Sequence, residues 1–167
     1  LPGIRGGAVA WHPVQKKYYA GFAGNITFPL AVFDITGKRL SADDLTTMED
    51  LRGLWYNPKT KKLCGNAYND YGWFFYSFDA KGIPVTIETY AEGMNQPGEQ
   101  SIGAYNAKSD VVCFLNEKKI EMYNAEGMLE EDSTIQLYPG ISRKESITNV
   151  NEETYLGDEY NYNALIY

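Results

Sequence analysis

Tyr, Asn and Asp gather in two short stretches of this 167-residue chain, Gly65–Tyr71 and Gly157–Asn163. The residues that stand out are Tyr68, Asn69, Asp70 and Tyr71, with Trp73 close by, and then Tyr160, Asn161 and Tyr162. Amide and carboxylate groups bond hydroxyls, and a Tyr or Trp ring offers a flat amphipathic surface for stacking. That is the inventory of a ligand-binding site for a carbohydrate or a polar peptide. The same residues also build loops whose Tyr rings pack inward, so both uses stay open. A second set, Arg5, Glu49, Arg52, Glu99, Arg143 and Glu145, lies just ahead of apolar runs. Its arginines could hold an anion, or simply pair with the acids beside them, Asp50 included.

These residues need elements to carry them, and the chain supplies a repeated one. The stretch Leu51–Gly82 reads as three strands, Gly53–Asn57, Lys62–Ala67 and Trp73–Asp79, and Pro84–Tyr90 follows as an alternating fourth. Phe33-Asp34-Ile35-Thr36-Gly37, Phe78-Asp79-Ala80-Lys81-Gly82 and Tyr123-Asn124-Ala125-Glu126-Gly127 align at intervals of 45 residues. Asp or Asn opening such a turn bonds its own backbone, and the closing Gly accepts positive φ. A second landmark repeats as Trp11-His12-Pro13, Tyr56-Asn57-Pro58, Tyr105-Asn106-Ala107 and Thr148-Asn149-Val150. Second strands follow in register, with Tyr19, Cys64, Cys113 and Leu156 in equivalent places. Four short strands per period of this length is the pattern of a β-propeller blade.

The predicted fold is therefore all-β, a single β-propeller unit over residues 1–167 built of blades of four antiparallel strands. The repeats run at about 7–50, 51–100, 101–146 and 147–167, the last incomplete. Three and a half blades imply a partial ring, a fragment of a longer propeller, or a ring closed by oligomerisation, since open sheet edges need cover. In the first copy the strands are expected at Ala8–His12, Lys17–Phe22 and Phe28–Asp34, followed by an irregular outer segment, Leu40–Met48.

At the aromatic-Asp-x-x-Gly turn, Phe33-Asp34…Gly37 and Phe78-Asp79…Gly82, the chain resembles non-WD propellers of the NHL-type, gluconolactonase-like and bacterial six-bladed groups. The resemblance covers nearly the whole chain but rests on a structural turn, so it implies fold rather than function. Metal-dependent enzymes of the gluconolactonase-like group place acidic and amide ligands around the pore. The first strands here, Gly-Ala-Val-Ala-Trp, Gly-Leu-Trp-Tyr-Asn, Ile-Gly-Ala-Tyr-Asn and Ile-Thr-Asn, carry no carboxylate. That departure counts against a metal in the pore, while acids at the pore entrance leave room for one there.

Composition narrows the partners. A net charge of −7 opposes nucleic-acid binding, which needs a basic stripe. No apolar run approaches the roughly 18 residues of a membrane span, so membrane insertion is not expected. The only His, His12, stands where the other copies have Asn57, Asn106 and Asn149, which makes it a turn cap before a general base. There is no second imidazole, and no convincing Ser-His-Asp set can be assembled around this one. Cys64 and Cys113 occupy equivalent second-strand positions and read as small buried apolar residues rather than a disulfide. No Gly-rich phosphate loop and no Cys-x-x-Cys is present, and no catalytic residue, metal ligand or cofactor is assigned. Asn25-Ile26-Thr27 fits a glycosylation acceptor, in keeping with a secreted or periplasmic setting.

The expected function is a non-enzymatic binding or scaffold propeller that engages a protein or glycan through its variable-loop face. That face carries Gly21–Thr27, Gly65–Gly72 and Gly157–Asn163, together with Glu49–Arg52, Ala91–Ser101 and Arg143–Ser146. Alternatives are a propeller-type hydrolase or lactonase with a metal near the pore entrance, and a structural segment that completes itself with another copy or with further blades.

Overall fold

The computed structural model describes residues 6–22, 30–42, 45–46, 49–68, 72–93, 95–116 and 119–134. Among these residues every regular element is a strand. Strands β1 (Gly6–His12), β2 (Lys17–Phe22) and β3 (Ala31–Phe33) form one antiparallel sheet. A second contains β4 (Leu51–Asn57), β5 (Lys62–Ala67), β6 (Trp73–Phe78) and β7 (Pro84–Ala91), in that spatial order. The third repeats the arrangement with β8 (Ala104–Asn106), β9 (Val111–Asn116), β10 (Lys119–Tyr123) and β11 (Leu129–Thr134). The all-β reading and the four-stranded antiparallel blade are both present. In the first sheet no fourth strand is found among the described residues; Phe33 bridges to Arg39, just ahead of the segment Leu40–Met48 that was expected to be irregular. The fourth repeat, 147–167, lies outside the described residues.

Two recurrent turns set the register. After the third strand, the Oδ1 of Asp34 accepts the N–H of Thr36 and of Lys38. Asp79 does the same for Lys81 and Ile83, and Asn124 for Glu126 and Met128. Gly37, Gly82 and Gly127 close these turns with φ of 83°, 73° and 80°, a region where a β-carbon is strained. After the first strand, Asn57 Oδ1 accepts from Lys59 and Thr60, and Asn106 Oδ1 from Lys108 and Ser109. There the closing residue is left-handed without being Gly: Lys16, Lys61 and Asp110 have φ of 52°, 59° and 61°. His12 takes the same role with its ring, Nδ1 accepting the N–H of Gln15 at 3.3 Å.

Side-chain alternation then sorts each strand between two neighbours. On the second sheet, Leu54, Leu63, Phe74 and Tyr76 join Ala10, Tyr19, Leu30 and Val32 of the first in one buried core. The residues between them, Trp55, Cys64 and Trp73, join Val112, Phe114 and Tyr123 of the third in another. Both cysteines are buried and outside any disulfide, and burial pushes the Cys64 thiol up to about 12. Polar contacts tie the sheets at their margins. Tyr19 Oη donates to the carbonyl of Gly82 at 2.8 Å, and Lys59 Nζ pairs with Asp110 at 2.6 Å.

His12 is buried between the first two sheets, with its ring 4.5 Å from Tyr56 and 5.4 Å from Phe78. Burial lowers its pKa, partly offset by the Lys61 carbonyl beside it. With the folded pKa below the unfolded value, the unfolded chain binds more protons in the window between them. The neutral ring's contribution is intact above about pH 6.5 and declines as pH falls, until the folded group protonates as well. His12→Asn should keep the turn, as Asn57 does, and flatten this slope. Urea midpoints measured between pH 7 and pH 5 check it: equal slopes in the two proteins would rule out His12 as the source.

Candidate functional site

The first strand of each sheet is an edge strand, and β4 packs between β1 and β8. Together the three line a cleft of about 560 Å³ walled by Val9, Trp11, Tyr56, Ile102 and Tyr105, among other uncharged residues. Three of the four strands expected to line a channel thus share one space, and its lining carries no charged side chain.

Arg52, Glu99 and Tyr68 meet at the end of the sheets where β5 turns toward β6. The Arg52 guanidinium is buried and reaches both oxygens of Asp50, Nη1 to Oδ1 at 2.5 Å and Nη2 to Oδ2 at 3.1 Å. Its Nε donates to Gln100 Oε1 at 2.7 Å. The face of the guanidinium lies 4.8 Å from the centre of the Tyr68 ring. Tyr68 Oη in turn donates to Glu99 Oε2 at 2.7 Å, and the bond to that carboxylate holds the phenol above its ordinary pKa. The Tyr68 backbone N–H bonds the carbonyl of Asp50, closing a compact, half-exposed cluster. Arg52 is consumed by Asp50 and Gln100, so its role here is to hold a stacked ring rather than to wait for an anion. Glu49 is half-buried, and desolvation raises its carboxyl. Among the described residues no three His, Cys, Asp or Glu side chains gather as metal ligands do.

The expected site residues divide as follows. Tyr68, Arg52 and Glu99 come together. Trp73 does not offer a stacking face to solvent: it is fully buried, 5.8 Å from Trp55, 5.9 Å from Phe114 and 6.2 Å from Tyr123. Its position as the first residue of β6 turns it into the core between the second and third sheets. Asn69, Asp70, Tyr71, Tyr160, Asn161, Tyr162, Arg5, Arg143 and Glu145 lie outside the described residues.

One group escaped the sequence reading. Asn66 falls inside the Asn-Tyr stretch, yet it is fully buried in β5. Its Nδ2 donates to Gln96 Oε1 at 2.6 Å and to the carbonyl of Ser101 at 2.8 Å, while its Oδ1 accepts the Gly103 N–H at 3.1 Å. Gln96 passes the network on to the carbonyls of Ala67 and Gly98. The segment between β7 and β8, which carries Glu99 and Gln100, is thereby fastened under Tyr68. The available signal was parity: Asn66 lies two residues past Cys64 and so faces the same way.

Asn66→Ala would strand Gln96, the Ser101 carbonyl and the Gly103 N–H in the interior, at a cost of about 3 kcal/mol. Tyr68→Phe, which removes only a surface hydroxyl, should leave the unfolding midpoint in place. Chemical denaturation of both variants tests the division. Equal effects would mean that the buried network does not hold the segment.

No protein-family model matches the chain, and no curated protein sequence matches it. Solved structures overlap with it at low similarity. They include hydrazine synthase of Kuenenia stuttgartiensis, at 13% identity over 78% of this chain and 37% of that one, with a TM-score of 0.43. An auxiliary nutrient binding protein from Bacteroides thetaiotaomicron overlaps at 11% identity, 82% and 33% coverage and a TM-score of 0.45. A protein of unknown function from Bacteroides caccae overlaps at 13% identity, 78% and 46% coverage and a TM-score of 0.39. The chain spans between a third and just under half of the length of these structures, and TM-scores below 0.5 add no weight to a fold or a function. The chemistry must therefore be read from the chain's own residues.

Proposed function

We propose that this chain is a non-enzymatic binding scaffold of propeller blades. It holds a glycan or a polar peptide at the sheet ends where β5 leaves for β6 and β7 leaves for β8. The observation that carries this reading is the Tyr68 ring, stacked on a buried guanidinium and hydrogen-bonded to Glu99 while part of it stays exposed. An aromatic ring fixed in advance loses little side-chain entropy when a ligand stacks on it. Glu99 accepts from a hydroxyl already and can accept from a second with its remaining lone pairs. Asn69, Asp70 and Tyr71 continue the same stretch of chain and extend the set of hydroxyl- and amide-bonding groups. The uniform turns at the other sheet ends offer no comparable variety of side chains.

The test is binding of the labelled protein to a glycan array and to an array of polar peptides. Hits from either array should weaken at least tenfold with Tyr68→Ala, and Glu99→Gln should weaken them less. A hit that Tyr68→Ala leaves unchanged would place the site elsewhere, and silence on both arrays would remove the proposal.

A further inference from the structure

The two ends of the sheets differ in charge as well as in loop length. His12 pairs with Lys17 and Tyr18 with Phe33, so the turns after β1 and after β3 leave the first sheet at one end. Asn57 with Lys62 and Phe78 with Pro84 do the same for the second sheet, and Asn106 with Val111 for the third. Contacts between sheets set these turns side by side. The His12 ring lies 4.5 Å from Tyr56, Gln15 sits against Gly82, and Lys59 pairs with Asp110 at 2.6 Å. The outer turn of the third sheet, with Glu126, rests instead against Asn95.

The surface made by these turns is basic, although the chain has a net charge of −7. Lys16, Lys38, Lys61, Lys81 and Lys108 each stand exposed on a different turn. Lys17 and Lys62 flank them, with their ammonium groups turned to the Gln15 carbonyl and the Phe75 ring. The acids on these turns are Asp34, Asp79 and Asp110. The first two accept from the N–H groups of their own turns, and the third is held by Lys59 and Tyr105. At the opposite end, among the described residues, Glu49, Asp50, Glu92 and Glu99 outnumber Arg52 and Lys119, and Arg52 is already paired with Asp50. Aliphatic side chains stand among the lysines. Val14 is 64% and Ile35 71% exposed on the two turns of the first sheet, Val14 where the other sheets have Lys59 and Lys108.

We infer that this end seats the protein on an anionic lipid surface. Lysines near a negatively charged leaflet are attracted to it without any fixed geometry. Exposed aliphatic tips gain by entering the headgroup boundary, a medium that a hydrated polyanion does not offer. Arginine, which suits bidentate recognition of a single phosphate or carboxylate, is absent from the tips of these turns. Arg39, which follows Lys38, bonds Ser41 and the carbonyl of Ala42. No strand crosses the bilayer in this arrangement: the turns touch it, and the acidic end, with Tyr68, points away into solvent.

Sedimentation of the whole chain with vesicles tests this, using phosphatidylglycerol mixed equally with phosphatidylcholine against phosphatidylcholine alone. The protein should pellet with the anionic vesicles only, and high salt should release most of it by screening the lysines. Lys38→Glu combined with Lys81→Glu should weaken the partition at least tenfold. Ile35→Ser should weaken it several-fold, and Tyr68→Ala should leave it unchanged. An unaltered near-ultraviolet circular dichroism spectrum would show that the sheets persist in each variant. Failure to pellet with anionic vesicles would overturn the inference, as would pelleting that survives the double lysine substitution. A loss caused by Tyr68→Ala would put the contact at the opposite end and overturn it too. Soluble polyglutamate bound as tightly as the vesicles, with Ile35→Ser making no difference, would make the partner a hydrated polyanion and sink the lipid assignment.

Discussion

A sheet that is apolar on both sides cannot stand alone in water, and this constraint governs the molecule. Strand β6, Trp-Phe-Phe-Tyr-Ser-Phe, shows it most plainly. Trp73 goes to one neighbouring sheet, Phe74 and Tyr76 go to the other, and neither side is left for solvent. At about 25 cal/mol per Å² of apolar surface removed from water, rings of this size make stacking of sheets the dominant favourable term. It follows that each sheet is stable only as a member of a row. The tight turns fix register because a slip of one residue would exchange the two sides of a strand.

The two ends of the sheets are treated differently. At one end the turns are nearly copies of one another, with Asp or Asn accepting from the same relative N–H groups in each repeat. At the other the connections differ in length and content, and there the chain has buried a polar joint. Asn66 and Gln96 satisfy one another and four backbone groups between the second and third sheets. Above that joint lies the ion pair of Arg52 with Asp50, and above the guanidinium lies Tyr68. The order runs from buried amide to paired charge to half-exposed ring, so the surface residue inherits its position from groups more deeply set than itself.

Much of this was legible in advance, since local chemistry dictates the repeated parts. The second strand Lys62–Ala67 was read to the residue and its neighbours within two, because turn residues bound them on both sides. Cys64 and Cys113 were recognisable as buried thiols outside a disulfide from their equivalent positions. His12 was recognisable as a turn residue because its counterparts are Asn. The misreadings occur where direction depends on a partner sheet. Trp73 was grouped with the loop aromatics by adjacency although the strand was expected to begin at it, and what buries it is the third sheet packed against that side of β6. Asn66 looks like a surface amide until the segment from Gln96 to Gly103 folds back over it. Parity with Cys64 marks Asn66 as facing inward, but the partners that satisfy it come from a distant segment that no local pattern identifies.

The positions that match across repeats make the sheets resemble interchangeable parts, and the joint at Asn66 shows that they are not. Its counterparts are Gly21 in the first repeat and Leu115 in the third, neither of which has a side chain able to bond Gln96. An extra copy of the first repeat inserted ahead of the third would part Asn66 from Ser101 and Gly103, and the glycine in its place would leave that carbonyl and that N–H unanswered. A circular permutation that keeps the second and third repeats consecutive would leave them matched. The chain is thus modular in its packing and ordered in its polar chemistry, with a single amide determining which neighbour the second sheet accepts.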